Sequence, residues 1–218
     1  EIRKNPSVTP LYNAIKFSGR NKNNLGIGIF NAVGQRVKAI VRNKANGRDS
    51  SIETEALTNY NVFVLDQTMK YNSSVSFVNT NVWRSAKDYD ANVSSFLFDL
   101  NDKKNKWNFG GSASVSNLLG KGGKNTTGYA HSFNFGKTSG RFNFNIFQEL
   151  SNAKYDKSDL GYFTNNNTID NGLWMGYKWL QPKKFFNNFR LNFNAFYSRL
   201  VTPLDVLKRK EMMYQNGG

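Results

Sequence analysis

Cysteine is absent from the 218 residues, which excludes a disulfide framework and thiol chemistry. Histidine occurs once, as His131, so a metal centre would need carboxylates that no local spacing supplies. No serine, histidine and acid constellation can be assembled for nucleophilic catalysis. Acidic residues are few, 15 against 30 Lys and Arg, leaving a net charge of +15 and a pI near 9.9. Long hydrophobic runs are also missing: mean hydropathy is -0.60, and no window approaches the roughly 20 apolar residues of a membrane helix. This does not exclude a membrane barrel, whose strands show only alternation over about 10 residues. No secretory signal precedes Glu1, so the chain is expected to be cytoplasmic, or a mature or partial piece of a longer protein.

What the chain does have is aromatic residues and alternation. Aromatics make up 15% of it, with 18 Phe and 10 Tyr, types that suit strands and membrane interfaces. Residues 10–41 read PLYNAIKFSGR, NKNN and LGIGIFNAVGQRVKAIV, two alternating runs joined by a polar turn. In the second run Leu25, Ile27, Ile29, Val33, Val37, Ala39 and Val41 share one face, and Gly26, Gly28, Ala32, Gly34, Arg36 and Lys38 share the other. This outlasts an ordinary globular strand of about 5–6 residues. The glycines superficially suggest a nucleotide fingerprint, but a true one opens a helix, whereas alternation runs through this one. They are expected to make room on one face or let the strand curve.

Beyond a polar lead-in at 1–9 and a loop at 43–58, alternation predicts eight more strands. They lie near 59–69, 74–84, 92–100, 106–117, 128–135, 141–150, 168–180 and 188–200. Residues 201–218 read as a loop, a short helix after Pro203 or the start of another strand. In the third and fourth strands apolar residues fall on both faces, which predicts a bulge or a contact with another element. Connections alternate, short near 21, 70, 102, 137 and 181, longer near 43, 85, 120, 151 and beyond 202. That layout predicts an all-β, antiparallel, up-and-down transmembrane β-barrel with about ten visible strands. Its open edges would need further strands or other envelope proteins.

Two sets of residues follow from this expectation. Trp107, Phe135, Phe142, Trp179 and Phe185, with Tyr71 and Phe186, lie close to short turns and would form an aromatic girdle. Tyr12, Phe30, Tyr60, Trp83, Tyr129 and Tyr197 would supply the opposite belt. Arg36, Lys38, Asp66, Asp99, Arg141, Glu149 and Arg190 alternate with the apolar positions and are expected to face a wet lumen, where charges stay hydrated or paired. Asp66, Asp99 and Glu149 also raise an acid pair for glycoside cleavage, which needs carboxyls within about 5–10 Å; sparse lumen charges account for them as well. The GKGGKN loop at 120–125 reads as a flexible outside loop rather than a phosphate cradle.

The segments PLYNAIKFSGRNKNNLGIGIFNAV, TNYNVFVLDQTMKYNSSVSFVNTNVWR and DYDANVSSFLFDLNDKKNKWNFGG resemble the C-terminal barrel region of Bacteroidota envelope proteins. Those proteins carry a family-nine-type carbohydrate-binding module at the N-terminus, followed by a domain of unknown function. The resemblance implies an outer-membrane barrel linked to glycan binding and transfers no catalytic residue; set against that family, the chain is expected to be a fragment of a larger barrel. The combined expectation is a non-enzymatic outer-membrane barrel acting in transport, docking or assembly. It needs no cofactor, and its partners are the lipid bilayer, carbohydrate and other envelope proteins. The alternative is a soluble basic β-sheet module that binds a polyanion or single-stranded nucleic acid.

Overall fold

The computed structural model describes residues 1–85, 89–161, 163, 165–182 and 184–203; of the tail reading, 204–218 lie outside the described residues. Alternation produces strands almost throughout: β1 (Ile2–Lys4), β2 (Leu11–Arg20), β3 (Leu25–Gly34), β4 (Val37–Arg42), β5 (Asp49–Glu55), β6 (Thr58–Thr68) and β7 (Ser74–Arg84). They continue as β8 (Asp90–Asn101), β9 (Trp107–Leu119), β10 (Thr126–Lys137), β11 (Phe142–Ser151), β12 (Thr168–Trp179) and β13 (Phe189–Leu200). Ten of them form one antiparallel sheet in the order β13-β12-β11-β10-β9-β8-β7-β6-β3-β2. The all-β, antiparallel architecture is that of the hairpin rhythm in the sequence. Closure is not found: among the described residues nothing pairs with the outer edges of β2 and β13, so the sheet is open.

A small second sheet, β1-β4-β5, interrupts the up-and-down order between β3 and β6. It corrects three readings of the sequence. The long run at 25–41 is not one strand, because β3 ends at Gly34 and the chain turns away there: the Gln35 N–H donates to the Pro10 carbonyl at 2.8 Å. β4 then pairs with β1, inside the segment read as a lead-in, and with β5, inside the segment read as a loop. β5 reads DSSIETE and offers a single large apolar residue, Ile52, too weak a signal to mark a strand by hydrophobic alternation. β6 and β7 pair in continuous register without a bulge. Their second apolar row instead feeds a small cluster in which Val82, Ala91 and Leu118 are buried, with Tyr60 and Tyr89 packed against them.

The pairings divide the large sheet into two faces, because residues directly opposite each other point the same way. One face, here called outer, carries Ile29, Phe63, Phe96, Phe133, Ile146 and Phe193. The inner face carries Gly26, Asp66, Ser95, Ser114, Glu149 and Arg190. A single-layer sheet has no second layer to cover the outer face, and Ile29, Phe96 and Ile146 are 47%, 47% and 52% exposed in mid-sheet.

The apolar rows of the outer face do not run perpendicular to the strands. From Ile27 on β3, the pairing passes through Leu65, Phe77, Phe96, Ala113, His131 and Leu150 to Ile169 on β12. Ile27 is the middle of the apolar run on β3, whereas on β12 the middle of Leu173, Met175 and Tyr177 lies six residues beyond Ile169. Six residues of roughly 3.4 Å over seven strand steps of about 4.8 Å give a slant of roughly 30°. The short turns step along the register in the same way, so each lies just beyond one edge of the apolar band. The other edge is marked by amides and hydroxyls: Asn31 donates to Asn61 at 2.8 Å, Asn79 to Ser94 at 2.8 Å and Gln148 to Asn171 at 2.8 Å.

Candidate functional site

Between β11 and β12 the described residues 152–161, 163 and 165–167 fold back over the inner face as a strap. Asn152 starts the fold-back: its N–H donates to the Tyr129 carbonyl at 3.0 Å, and its side-chain oxygen accepts from the Tyr129 N–H at 3.1 Å. The strap then crosses β10 at Gly128, where a Cβ would lie 2.2 Å from the Tyr155 nitrogen. On β9 the Asp156 N–H donates to Ser116 Oγ at 3.0 Å, and Ser116 is fully buried beneath it. At its far end Asp159 is ion-paired with Arg84 of β7 and accepts from the Tyr89 hydroxyl at 3.0 Å. The side chains of Arg84 and Asp159 are only 14% and 9% exposed, so this is a buried ion pair.

Lys121, from the glycine-rich connection, completes the anchor: its ammonium sits 3.5 Å from Asp156 and 4.6 Å from the centre of the Tyr89 ring. Burial, then the charge of Asp159, push the Tyr89 phenol above its ordinary value, and burial does the same for Tyr155. Burial opposes the Asp156 carboxylate, but hydrogen bonds from Ser158 and the nearby Lys121 carry its pKa below the usual value. The strap is thus fixed by a glycine seat, a buried ion pair and a second charge contact.

Between the strap and β9–β12 lies a cleft of about 400 Å³. The sheet supplies Ser112, Ser114, Ser132, Glu149, Thr168 and Asp170, and the strap supplies Tyr155, Lys157, Phe163 and Asn165. Ser112 and Ser132 share a hydrogen bond of 2.8 Å, as do Ser114 and Ser95. Glu149 and Asp170 are direct cross-strand partners on the inner face, and neither is ion-paired among the described residues. Two like charges placed opposite each other repel, so this arrangement suits a partner that donates hydrogen bonds or carries positive charge. Tyr155 and Phe163, edge to face at 5.6 Å, add an apolar wall. Hydroxyls, carboxylates and rings around one cleft are groups that bind a polyhydroxylated solute.

The sequence-derived lumen set is distributed more widely. Asp66, Asp99, Glu149 and Arg190 lie on the inner face. Asp66 is held by Arg20, which reaches across β3 at Gly26, and by Ser76 at 2.8 Å. Asp99 accepts from Asn108. Arg190 is paired across strands with Lys178. Arg141 falls in the turn before β11. Arg36 and Lys38 lie off the large sheet, Arg36 paired with Glu53 at 3.2 Å and Lys38 in β4. Asp66, Asp99 and Glu149 stand on β6, β8 and β11 and form no adjacent pair; the partner of Glu149 is Asp170, which sequence reading passed over. Its signal was its place in the same alternating row as Gly172, Gly176 and Lys178. His131 lies on the outer face, 3.2 Å from Gln148 Oε1.

Of the girdle residues, Trp107 stacks on Phe135 at 5.6 Å, and Phe144 links that pair to Phe142 with centroid distances of 6.0 Å. Trp179 contacts Phe189 at 5.3 Å, and Phe185 is 90% exposed in the last short turn. In the opposite belt, Trp83, Tyr129 and Tyr197 lie on the outer face, while Phe30 and Tyr60 point inward and do not belong to it.

No curated protein and no solved structure matches the chain. A family model described as a domain of unknown function, DUF5916, matches residues 1–216, and the chain belongs to that family.

Proposed function

We propose that this chain is the membrane-spanning part of a non-enzymatic outer-membrane protein. Its outer face meets lipid, and its inner face lines a polar interior that admits or holds a carbohydrate. The slant of the apolar band carries this reading. Strands of membrane barrels tilt by about 35–45°, so a lipid-facing band level with the membrane must step along the register from strand to strand. A band shifting by six residues between β3 and β12 has that form. Soluble barrels stagger their strands too; what favours lipid here is that Ile29, Phe96 and Ile146 of the slanted band stand exposed in mid-sheet rather than packed in a core.

Three further features support the reading. Rings at the turn-side edge of the band occupy the level where aromatic side chains gain from an interface. Inner-face charges are few, and several are paired or hydrogen-bonded. The cleft under the strap offers hydroxyls, carboxylates and rings, which agrees with the glycan link implied by the sequence resemblance. The edges at β2 and β13 require cover in a bilayer, from further strands or a neighbouring envelope protein.

The test is a pair of substitutions on adjacent residues of β8. Phe96→Arg, on the outer face, should lower stability in bilayers by about 2–4 kcal/mol, while Ser95→Arg, on the inner face, should leave insertion intact. Equal tolerance of both, or full water solubility of the chain without detergent, would overturn the proposal.

A further inference from the structure

The short-turn rim carries a row of positive charges. Lys22, Lys70, Lys103, Lys104 and Arg141 are exposed on successive turns, and among the described residues none of them is ion-paired. The nearby acids are already engaged. Asp66 is held by Arg20 and Ser76, Asp99 by Asn108, and Asp102 by backbone N–H groups of its own turn, Trp107 among them at 2.8 Å.

The turns are tied to one another, which fixes the charges at one level. The Thr68 N–H donates to Asn24 O at 3.1 Å, Asn101 Nδ2 to Asn72 O at 2.9 Å, the Thr138 N–H to Lys106 O at 2.9 Å, and the Lys178 N–H to Arg141 O at 2.9 Å. Three ammonium groups also stand over rings beside the apolar band: Lys106 over Trp107 at 5.9 Å, Lys137 over Phe142 at 5.9 Å and Lys184 over Phe185 at 6.0 Å.

From this geometry we infer that the short-turn rim is a docking surface for the phosphates of anionic phospholipids in the adjacent leaflet. Positive charge, then rings, then hydrocarbon-compatible side chains follow one another in the order in which a leaflet presents phosphate, interface and acyl chain. A polyanion in water would engage the lysines and, if it carries bases, the rings, but would leave the apolar band beyond them uncovered; a leaflet engages all three. The inference rests on the membrane reading above and adds lipid selectivity to it.

The experiment refolds the full chain into phosphatidylcholine vesicles with and without phosphatidylglycerol and measures the rate and extent of protease-protected insertion. Insertion should be at least about tenfold faster with the anionic lipid at low salt, and the difference should shrink at high salt. A variant with Lys22, Lys70, Lys103 and Lys104 changed to Gln should lose that preference. A control with Lys4, Lys44, Arg48 and Lys154 changed to Gln should keep it. Insertion into both vesicle types with no anionic preference, or a preference that survives in the rim variant, would overturn the docking surface and leave the membrane reading standing. Failure to insert into either vesicle would overturn both.

Discussion

Gly128 and Tyr155 meet backbone to backbone, and the contact exists only because position 128 has no side chain. A Cβ there would fall 2.2 Å from the Tyr155 nitrogen and 2.3 Å from its Cα, with no flexible group to yield. Gly128→Val should therefore lift the strap from the sheet. Overpacking of this kind costs about 1–3 kcal/mol. The expected readout is faster tryptic cleavage after Lys154 and Lys157, with the strand content of the large sheet unchanged.

The buried ion pair at the far end of the strap provides a second handle. Removing one member of such a pair costs up to about 3–5 kcal/mol. Asp159→Leu should fall below that range, because Arg84 keeps other partners, the Tyr89 carbonyl at 2.8 Å among them. Asp159→Asn, which keeps the shape and removes the charge, should loosen the strap less than Asp159→Leu. Denaturant titration of strap accessibility in the two variants checks this; a strap as well protected in Asp159→Leu as in the native chain would count against the pair as an anchor.

Asp102 gives the turn rim a pH dependence. The Trp107 N–H, followed by those of Lys106 and Lys104, holds its carboxyl below the usual carboxylate range. A depressed folded value means that the contribution is present above the unfolded pKa of about 3.9 and is lost as pH falls through the lower folded value. The protection of the Lys106 and Trp107 amides, taken relative to their intrinsic exchange at each pH, should thus fall below about pH 4 in the native chain. In Asp102→Asn that protection should already be lower at neutral pH and should show no such fall in acid.

Much of this architecture was legible in the residues. Strict alternation of Phe with Asn, as in Phe142, Asn143, Phe144 and Asn145, leaves one possible period and one apolar face, and each of the ten expected strands has a counterpart in the large sheet, the second cut short at Gly34. Turn chemistry placed the hairpins as well, because Asp102 and Asn105 mark a compact turn by local hydrogen bonding. The β1-β4-β5 sheet was not legible, since β1 and β5 are exposed along their whole length and carry almost no hydrophobic pattern. The strap escaped for a different reason: its contacts join residues far apart in the chain, as Asp159 with Arg84, and polar loop composition does not reveal on which face a loop will lie. Asp170 became conspicuous only when register put it opposite Glu149.

The most direct test of the account uses the absence of cysteine, which makes any single introduced Cys a unique labelling site. Nitroxide labels at Ile27, Ile169 and Met175, in protein refolded into bilayers, report depth by comparing accessibility to oxygen and to a water-soluble nickel chelate. Ile27 and Ile169 lie on one perpendicular line of pairing, whereas Ile27 and Met175 lie on the slanted band. The account predicts that Ile27 and Met175 are buried at matching depth and that Ile169 sits nearer the water. Equal depths for Ile27 and Ile169, with Met175 apart, or free access of the chelate to all three, would contradict it.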